Sequence, residues 1–383
     1  MKLSLLLALI STLWFLQNLV ESKKSSKKKI LTLSRRSPYP IKPSFVSYFT
    51  KSDLGSKLIK SIDSILSDLS SFICLQFKKQ KNLVKNKIGI NFYSKKEYSK
   101  VELSSSGKKP TKVYLEKSIN KNDLLFYIGY ALGLVPETTR NDSRLYVDVF
   151  EKNISPPNFE KYYKVKNYDS EVIASTSFDF YSKMLPSQKF KSVKGRLTYK
   201  FKGSLFQYYE KYVYNTEFFS FSDVKRLWYL YCSEKCEPLD CRNGGYSINS
   251  CQKCRCPPPF TGEKCEKLNP NQRSCGNKQE FIATSYKSFY TIKNISTFCF
   301  YSIKSKNGKK VQFNIKYLNI SHADDCSSGV VLSVKYRKDK SAGSLSLCGK
   351  YRNISFPPLS SEIYLSFIGN GNDNLHFSIK EEY

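Results

Sequence analysis

Histidine is almost missing from this chain. Its 383 residues include two, His322 and His376, and none falls between residues 37 and 232. A three-imidazole metal site, a Ser-His-Asp triad and a Cys-His pair are all excluded over that stretch. Acid is scarce as well: 32 Asp and Glu stand against 63 Lys and Arg, a net charge of +31 at pH 7. Such a field draws anionic partners such as acidic glycans, nucleic acid or anionic lipid. The basic residues are spread along the whole length, however, which reads first as general lysine enrichment. Beyond residue 20 no apolar run approaches the roughly 20 residues that a membrane span needs, and no span is expected. Apolar and aromatic residues are plentiful, at 40 % and 15 %. That excludes a disordered chain, and the length allows two or three domains.

Met1 and Lys2 precede an apolar run from Leu3 to Val20, interrupted at Gln17 and Asn18, with Val20-Glu21-Ser22 at a cleavage position. This pattern is that of a secretory signal peptide over residues 1–22, and it predicts a secreted, extracellular protein that does not work on nucleic acid. Residues 23–36 hold seven Lys and Arg and no acid, ending in Arg35-Arg36. They read either as a short propeptide with a dibasic processing site or as a basic surface arm. Twelve cysteines, an even number in a secreted chain, imply disulfides rather than thiol chemistry. Their spacing falls into three regimes: Cys74 alone, seven crowded between Cys232 and Cys265, and four at wide intervals from Cys275 to Cys348. Three domains follow, and no internal repeat is seen.

From Asp53, apolar residues return every three or four positions (Leu54, Leu58, Ile62, Ile65, Leu69), which predicts an amphipathic helix that Asp53 could cap. Short apolar runs at Phe72 to Phe77, Ile88 to Tyr93 and Val113 to Leu115 read as strands. A second helix fits Asn122 to Leu132, stopped by Gly133, and a third fits Asp223 to Tyr231. The first domain is therefore mixed α and β.

Between Ala131 and Val147, Gly133, Glu137, Arg140 and Asp142 keep the spacing of the second half of the pattern H-E-x-x-H-x-x-G-x-x-H-E-x-x-R-x-D. Downstream, Tyr168 to Thr176 is similar to a Y-D-x-x-S-I-M-H-Y stretch. Together these segments resemble the astacin family of zinc endopeptidases. The resemblance implies a two-lobed α+β protease domain with zinc as the family cofactor. By position, however, the three zinc histidines become Phe126, Tyr130 and Pro136, and the general-base glutamate becomes Tyr127. The methionine of the turn beneath the metal becomes Ala174, and the nearby tyrosine becomes Thr176. With no convergent lone pairs left, no catalytic residue, bound metal or other cofactor is expected here, and aromatic rings should plug the site. In the family, the glutamate at the Glu137 position receives the new amino terminus of the processed enzyme. Processing after Arg36 would allow the same ion pair, while Glu137 as an ordinary fold residue is the plainer alternative.

The resemblance also implies disulfides. Cys74 and Cys232 correspond to the family's long-range bridge, and a loop of that size is worth roughly 4 to 5 kcal/mol by the chain-entropy estimate. The family's second bridge has no counterpart, since residues 93–121 lack cysteine. Cys236 to Cys265, with Asn243-Gly244-Gly245 and Gly262, resemble an EGF-like module, which pairs Cys236–Cys251, Cys241–Cys254 and Cys256–Cys265; a zinc ribbon around Cys251 and Cys254 is the alternative. The acids that precede calcium-binding modules of this kind are absent, and no calcium is expected. The alternating stretches Val311 to Ile315, Val330 to Val334 and Ile363 to Phe367 predict a β-sandwich. With four widely spaced cysteines they resemble a CUB domain, which implies Cys275–Cys299 and Cys326–Cys348. Ser327-Ser328-Gly329 stand where that domain's calcium-binding aspartate is expected.

The layout is thus a signal at 1–22, a basic propeptide at 23–36, an astacin-like domain at 37–232, an EGF-like module at 233–266 and a CUB domain at 275–383. Nematode astacins have this layout. Five N-glycosylation sequons, at Asn141, Asn153, Asn294, Asn319 and Asn353, suit a secreted surface. The functional expectation is a protease homologue without catalysis that binds extracellular proteins or peptides. An active zinc endopeptidase and an electrostatic binder of acidic glycans are the alternatives.

Overall fold

The computed structural model describes residues 45–104, 108–168, 173, 176–214, 216–233, 239–248, 251–320 and 331–382. Between residues 45 and 115 the chain builds a five-stranded sheet from β1 (Phe45–Thr50), β2 (Gln76–Lys79), β3 (Gly89–Ser94), β4 (Lys100–Glu102) and β5 (Thr111–Leu115). Its order is β2-β1-β3-β5-β4. The first four strands of that order run parallel, and β4 closes the edge antiparallel to β5. Parallel neighbours need crossovers, and helix α1 (Ser56–Phe72) supplies the first by burying Leu58, Ile62, Ile65, Leu66 and Leu69 as one stripe.

Two local expectations need correction. Gly55, at φ 83°, occupies the N-cap of α1, while Asp53 lies in a preceding 3-10 turn, paired with Lys51. The run from Phe72 to Phe77 is not one strand: α1 extends through Phe72 and β2 begins at Gln76, leaving Cys74 in the connection. A short apolar run has no periodicity to separate the end of a helix from the start of a strand. Strand β1, which the sequence reading passed over, joins both β2 and β3.

Helix α2 (Lys121–Ala131) is capped by Asn120, whose side chain accepts from the Asp123 amide, and is buried on nearly every side from Leu124 to Gly129. Gly133, at φ 95°, lets the chain turn sharply away after it. The lower half of the domain contains α3 (Pro156–Tyr162), the pair β6 (Val147–Val149) and β7 (Tyr199–Phe201), α4 (Phe206–Glu210) and α5 (Phe221–Tyr231). A Ser220/Asp223 capping box fixes the start of α5, and Cys232 at its end is bridged to Cys74.

A small disulfide-rich region follows, with the hairpins β8 (Tyr246–Ser247) with β9 (Cys254–Arg255) and β10 (Phe260–Thr261) with β11 (Lys267–Leu268), and the bridges Cys241–Cys254 and Cys256–Cys265. Cys251 is also disulfide-bonded. Cys236, its expected partner, lies outside the described residues, as does Cys326, the expected partner of the likewise bonded Cys348.

The last domain is a sandwich. One sheet has the order β12-β14-β19-β16-β17 and the other β13-β20-β15-β18. In chain order these are Glu280–Ala283, Ser288–Lys293, Phe298–Ser305, Val311–Asn319, Val331–Lys335, Leu345–Leu347, Lys350–Phe356, Glu362–Ile368 and Asn374–Glu381 for β12 to β20. Alternate residues such as Phe313, Ile315, Leu365 and Phe377 fill the space between the sheets, and Cys275 is bridged to Cys299.

The described residues all fall within one compact unit. The β16–β17 turn of the sandwich packs on the protease-like domain. Asp339 accepts from the backbone and hydroxyl of Ser177, and Arg337 donates to the Phe178 carbonyl at 2.6 Å. Gly343 fits there because a Cβ would lie 2.0 Å from the Tyr181 ring. Among the described residues no helix is long and apolar enough to cross a membrane.

Candidate functional site

Helix α2 presents Phe126, Tyr127 and Tyr130 toward the lower half, and Pro136 follows the turn at Gly133. The three rings are not separate fillers of a cavity. Phe126 stacks on Tyr130 at 6.2 Å between centroids, and it also meets Tyr127, Tyr162 and Phe190, the last at 4.8 Å. Tyr162 in turn touches Tyr130 and Phe190. The result is one buried aromatic cluster. Burial pushes the phenol of Tyr127 well above its usual range and that of Tyr130 up to about 12. A zinc ion here would meet a hydrocarbon ring, phenols that hold their protons and a proline with no side-chain donor. These residues do not fit zinc, which takes deprotonated thiolate or carboxylate, or neutral imidazole. Among the described residues no group of three His, Cys, Asp or Glu is arranged to hold a metal. Ala174 lies outside them.

Immediately beyond Pro136 the chemistry changes. Glu137 is fully buried, in a 3-10 turn, and its carboxylate pairs with Arg226 of α5 and with Arg140 at 3.5 Å, and accepts from the Asp179 amide. Arg140 clasps Asp142 through Nε at 2.7 Å and Nη2 at 3.0 Å. Thr176 ties the arginines together: its carbonyl accepts from Arg140, and its hydroxyl takes Arg226 Nε at 3.0 Å. Asp223 accepts from Ser182 and the Lys183 amide, and burial still raises its carboxyl to about 6 despite the nearby Arg226. Gly133, Glu137, Arg140, Asp142 and Thr176 are thus brought to one place, beside Phe126, Tyr127, Tyr130 and Pro136. In the described structure the Glu137 carboxylate is engaged by side chains from within the domain. Arg226, which the sequence reading missed, is the main one, and a lone arginine three residues after the capping Asp223 was its only signal.

Two lysines, also missed, lie across the edge strand. Lys161 Nζ donates to the Val101 carbonyl at 2.9 Å, and Lys191 Nζ to the Ser99 carbonyl at 2.7 Å. Lys161 also sits over Tyr130 and Tyr162, and Lys191 over Tyr127 and Phe190. They join the strand β4 to the aromatic cluster. Of the sequons, Asn141, Asn294 and Asn353 are exposed, Asn153 donates to the Leu197 carbonyl, and Asn319 is half-buried.

This architecture defines a class: an α+β protease-type domain, a small disulfide-rich region and a β-sandwich. The sequence pattern of the astacin peptidase family matches residues 39–232, half of the chain, and that of the CUB domain matches residues 271–380. The chain belongs to the astacin family. It is 32 % identical over 258 residues to the zinc metalloproteinase nas-34 of Caenorhabditis elegans, covering 67 % of this chain and 41 % of that protein. The zinc metalloproteinase dpy-31 of the same nematode is 31 % identical over 155 residues, covering 39 % of this chain and 26 % of its own length. The chain therefore spans less than half the length of these relatives. Among solved structures, the high choriolytic enzyme 1 of medaka, a hatching-enzyme zinc protease, aligns with a TM-score of 0.38 at 19 % identity, over 49 % of this chain and 88 % of that one.

Proposed function

We propose that this chain is an astacin-family homologue without peptidase activity that works outside the cell as a binding protein for proteins or peptides. One observation carries the reading. By position, the residues that answer to the family's three imidazoles and general base are Phe126, Tyr130, Pro136 and Tyr127 here, and the three aromatic side chains pack on one another, Phe126 and Tyr127 buried and Tyr130 half-buried. Water activation by zinc needs three protein donors and a nearby base. A phenol as strongly desolvated as that of Tyr127 keeps its proton near neutral pH and is no base. The lysines on the carbonyls of Val101 in β4 and of Ser99 just before it support the same reading, because β4 is the edge strand on which an extended substrate could add.

Secretion is part of the proposal, supported by the apolar start and by the disulfides. So are the domain limits at 37–232, 233–266 and 275–383, with the middle segment read as an EGF-like module. The test is cleavage of casein or gelatin by the purified protein, with and without added zinc. We expect no cleavage above the blank. Cleavage that a chelator abolishes would overturn the reading and restore the activity named for the relatives.

A further inference from the structure

On a different part of the protease-like domain, α1 and the segment leading into α2 enclose a cavity of about 1250 Å³. The wall formed by α1 is 17 residues long, hence ~25 Å, which is room for about seven residues of extended chain. Its floor includes the half-buried Ile119, Phe72 and Phe218, the two rings 5.6 Å apart. The guanidinium of Arg255 lies over Phe72 at 4.2 Å. Lys57 and Lys60 stand exposed on one side and Lys117 on the other, and none of the three has an ion-pair partner among the described residues. Lys121 pairs with Glu217, and Asp68 is the one other acid of the lining.

We infer that this groove is a docking site for an acidic peptide segment that carries apolar anchors. The proposal rests on the reading of the chain as a binding protein. Charge complementarity selects an anion, since Lys57, Lys60 and Lys117, none in an ion pair among the described residues, outnumber Asp68, the one lining acid outside an ion pair. The apolar floor selects a peptide over a sulfated glycan: a glycan could use the lysines but would leave Ile119, Phe72 and Phe218 uncovered, whereas Leu or Phe side chains would bury them.

The experiment is fluorescence anisotropy on the full purified chain. The probe is a short fluorescein-labelled peptide of glutamates interrupted by two leucines and a phenylalanine. A second peptide has serine at those three positions, and a heparin oligosaccharide serves as competitor. Saturable binding of the first peptide is expected, weakened at least about tenfold both in the serine peptide and in the triple variant Lys57→Glu, Lys60→Glu, Lys117→Glu. These lysines are exposed, and an unchanged melting temperature would certify that the variant is folded. Absence of saturable binding would overturn the proposal. So would equal binding of the serine peptide, or heparin binding that outcompetes both, because either result makes the contact purely electrostatic. Neither failure touches the lack of peptidase activity. Chelator-sensitive cleavage of the probe would instead break that reading.

Discussion

The segment from Phe126 to Asp142 carries two adjoining clusters that differ in kind. Up to Pro136 it is aromatic: Phe126, Tyr127 and Tyr130 are held by ring contacts with one another and with Tyr162 and Phe190, and by two lysines laid over the rings. From Glu137 onward the charged side chains bind one another: Glu137 and Arg140 are buried, and Arg140 clasps the half-buried Asp142. The first cluster is held by area and ring contact, and a change there costs packing. The second is held by matched charges in a dry setting, where loss of one member strands the others. The first set of positions should therefore tolerate a change of side chain that keeps its volume, while the second should not tolerate removal of single members.

The largest effect should come from breaking the charged cluster. Glu137→Ala leaves Arg226 and Arg140 without their shared acid and should destabilise the protein by about 3–5 kcal/mol, read by denaturant unfolding. Replacing Glu137 and Arg226 together with Met should cost less than Glu137→Ala alone. If the double variant lost as much as the Glu137→Met and Arg226→Met single variants added together, the pair would not be coupled. In the aromatic cluster Phe126→Ala should cost about 3 kcal/mol, whereas Phe126→Leu, which keeps most of the volume, should cost about 1. Equal losses would mean that ring-on-ring contact, and not filled volume, holds that cluster.

A third prediction uses pH to extend the contrast to buried charges in the sandwich. Burial holds Lys340 at about 7 and Lys335 at about 8, against 10.5 for an exposed lysine. Between these values the unfolded chain binds more protons than the folded one, so stability rises as pH climbs from about 7 toward 10. Burial moves Asp223 the other way, to about 6, so its contribution falls as pH rises from about 4 to 6. Lys335→Met with Lys340→Met should flatten the alkaline slope and leave the acid one in place, measured by thermal melting across pH. A slope that survives this substitution would mean that other groups set it. The smallest effect belongs to the edge strand: Lys161→Met or Lys191→Met removes one hydrogen bond to a carbonyl in or beside β4 and should cost about 1 kcal/mol. Faster amide exchange in β4 would accompany it.

How much of this was legible in the sequence depended on the kind of signal. The α1 stripe from Leu58 to Leu69 and the alternation of Val311 to Ile315 repeat often enough to identify a helix and a strand. The family spacing of Gly133, Glu137, Arg140 and Asp142 located the site, and residue identity alone told which donors it lacks. Contacts between distant segments carry no such signature. Nothing local to Arg226, Phe190 or Lys191 announces that the first will meet Glu137 and the others Tyr127. The groove lined by Lys57, Lys117 and Phe218 is likewise made by three segments far apart in the chain. Helix ends were blurred for a related reason: Asp53 is a good capping residue, but a glycine two positions later took the cap.

The central claim is that the aromatic cluster has replaced a metal site. Elemental mass spectrometry of the purified protein, dialysed after exposure to zinc, tests it most directly. The account predicts less than about a tenth of an equivalent of zinc, since among the described residues no set of donors converges near Phe126, Tyr130 and Pro136. One full equivalent, lost together with thermal stability on chelation, would contradict it.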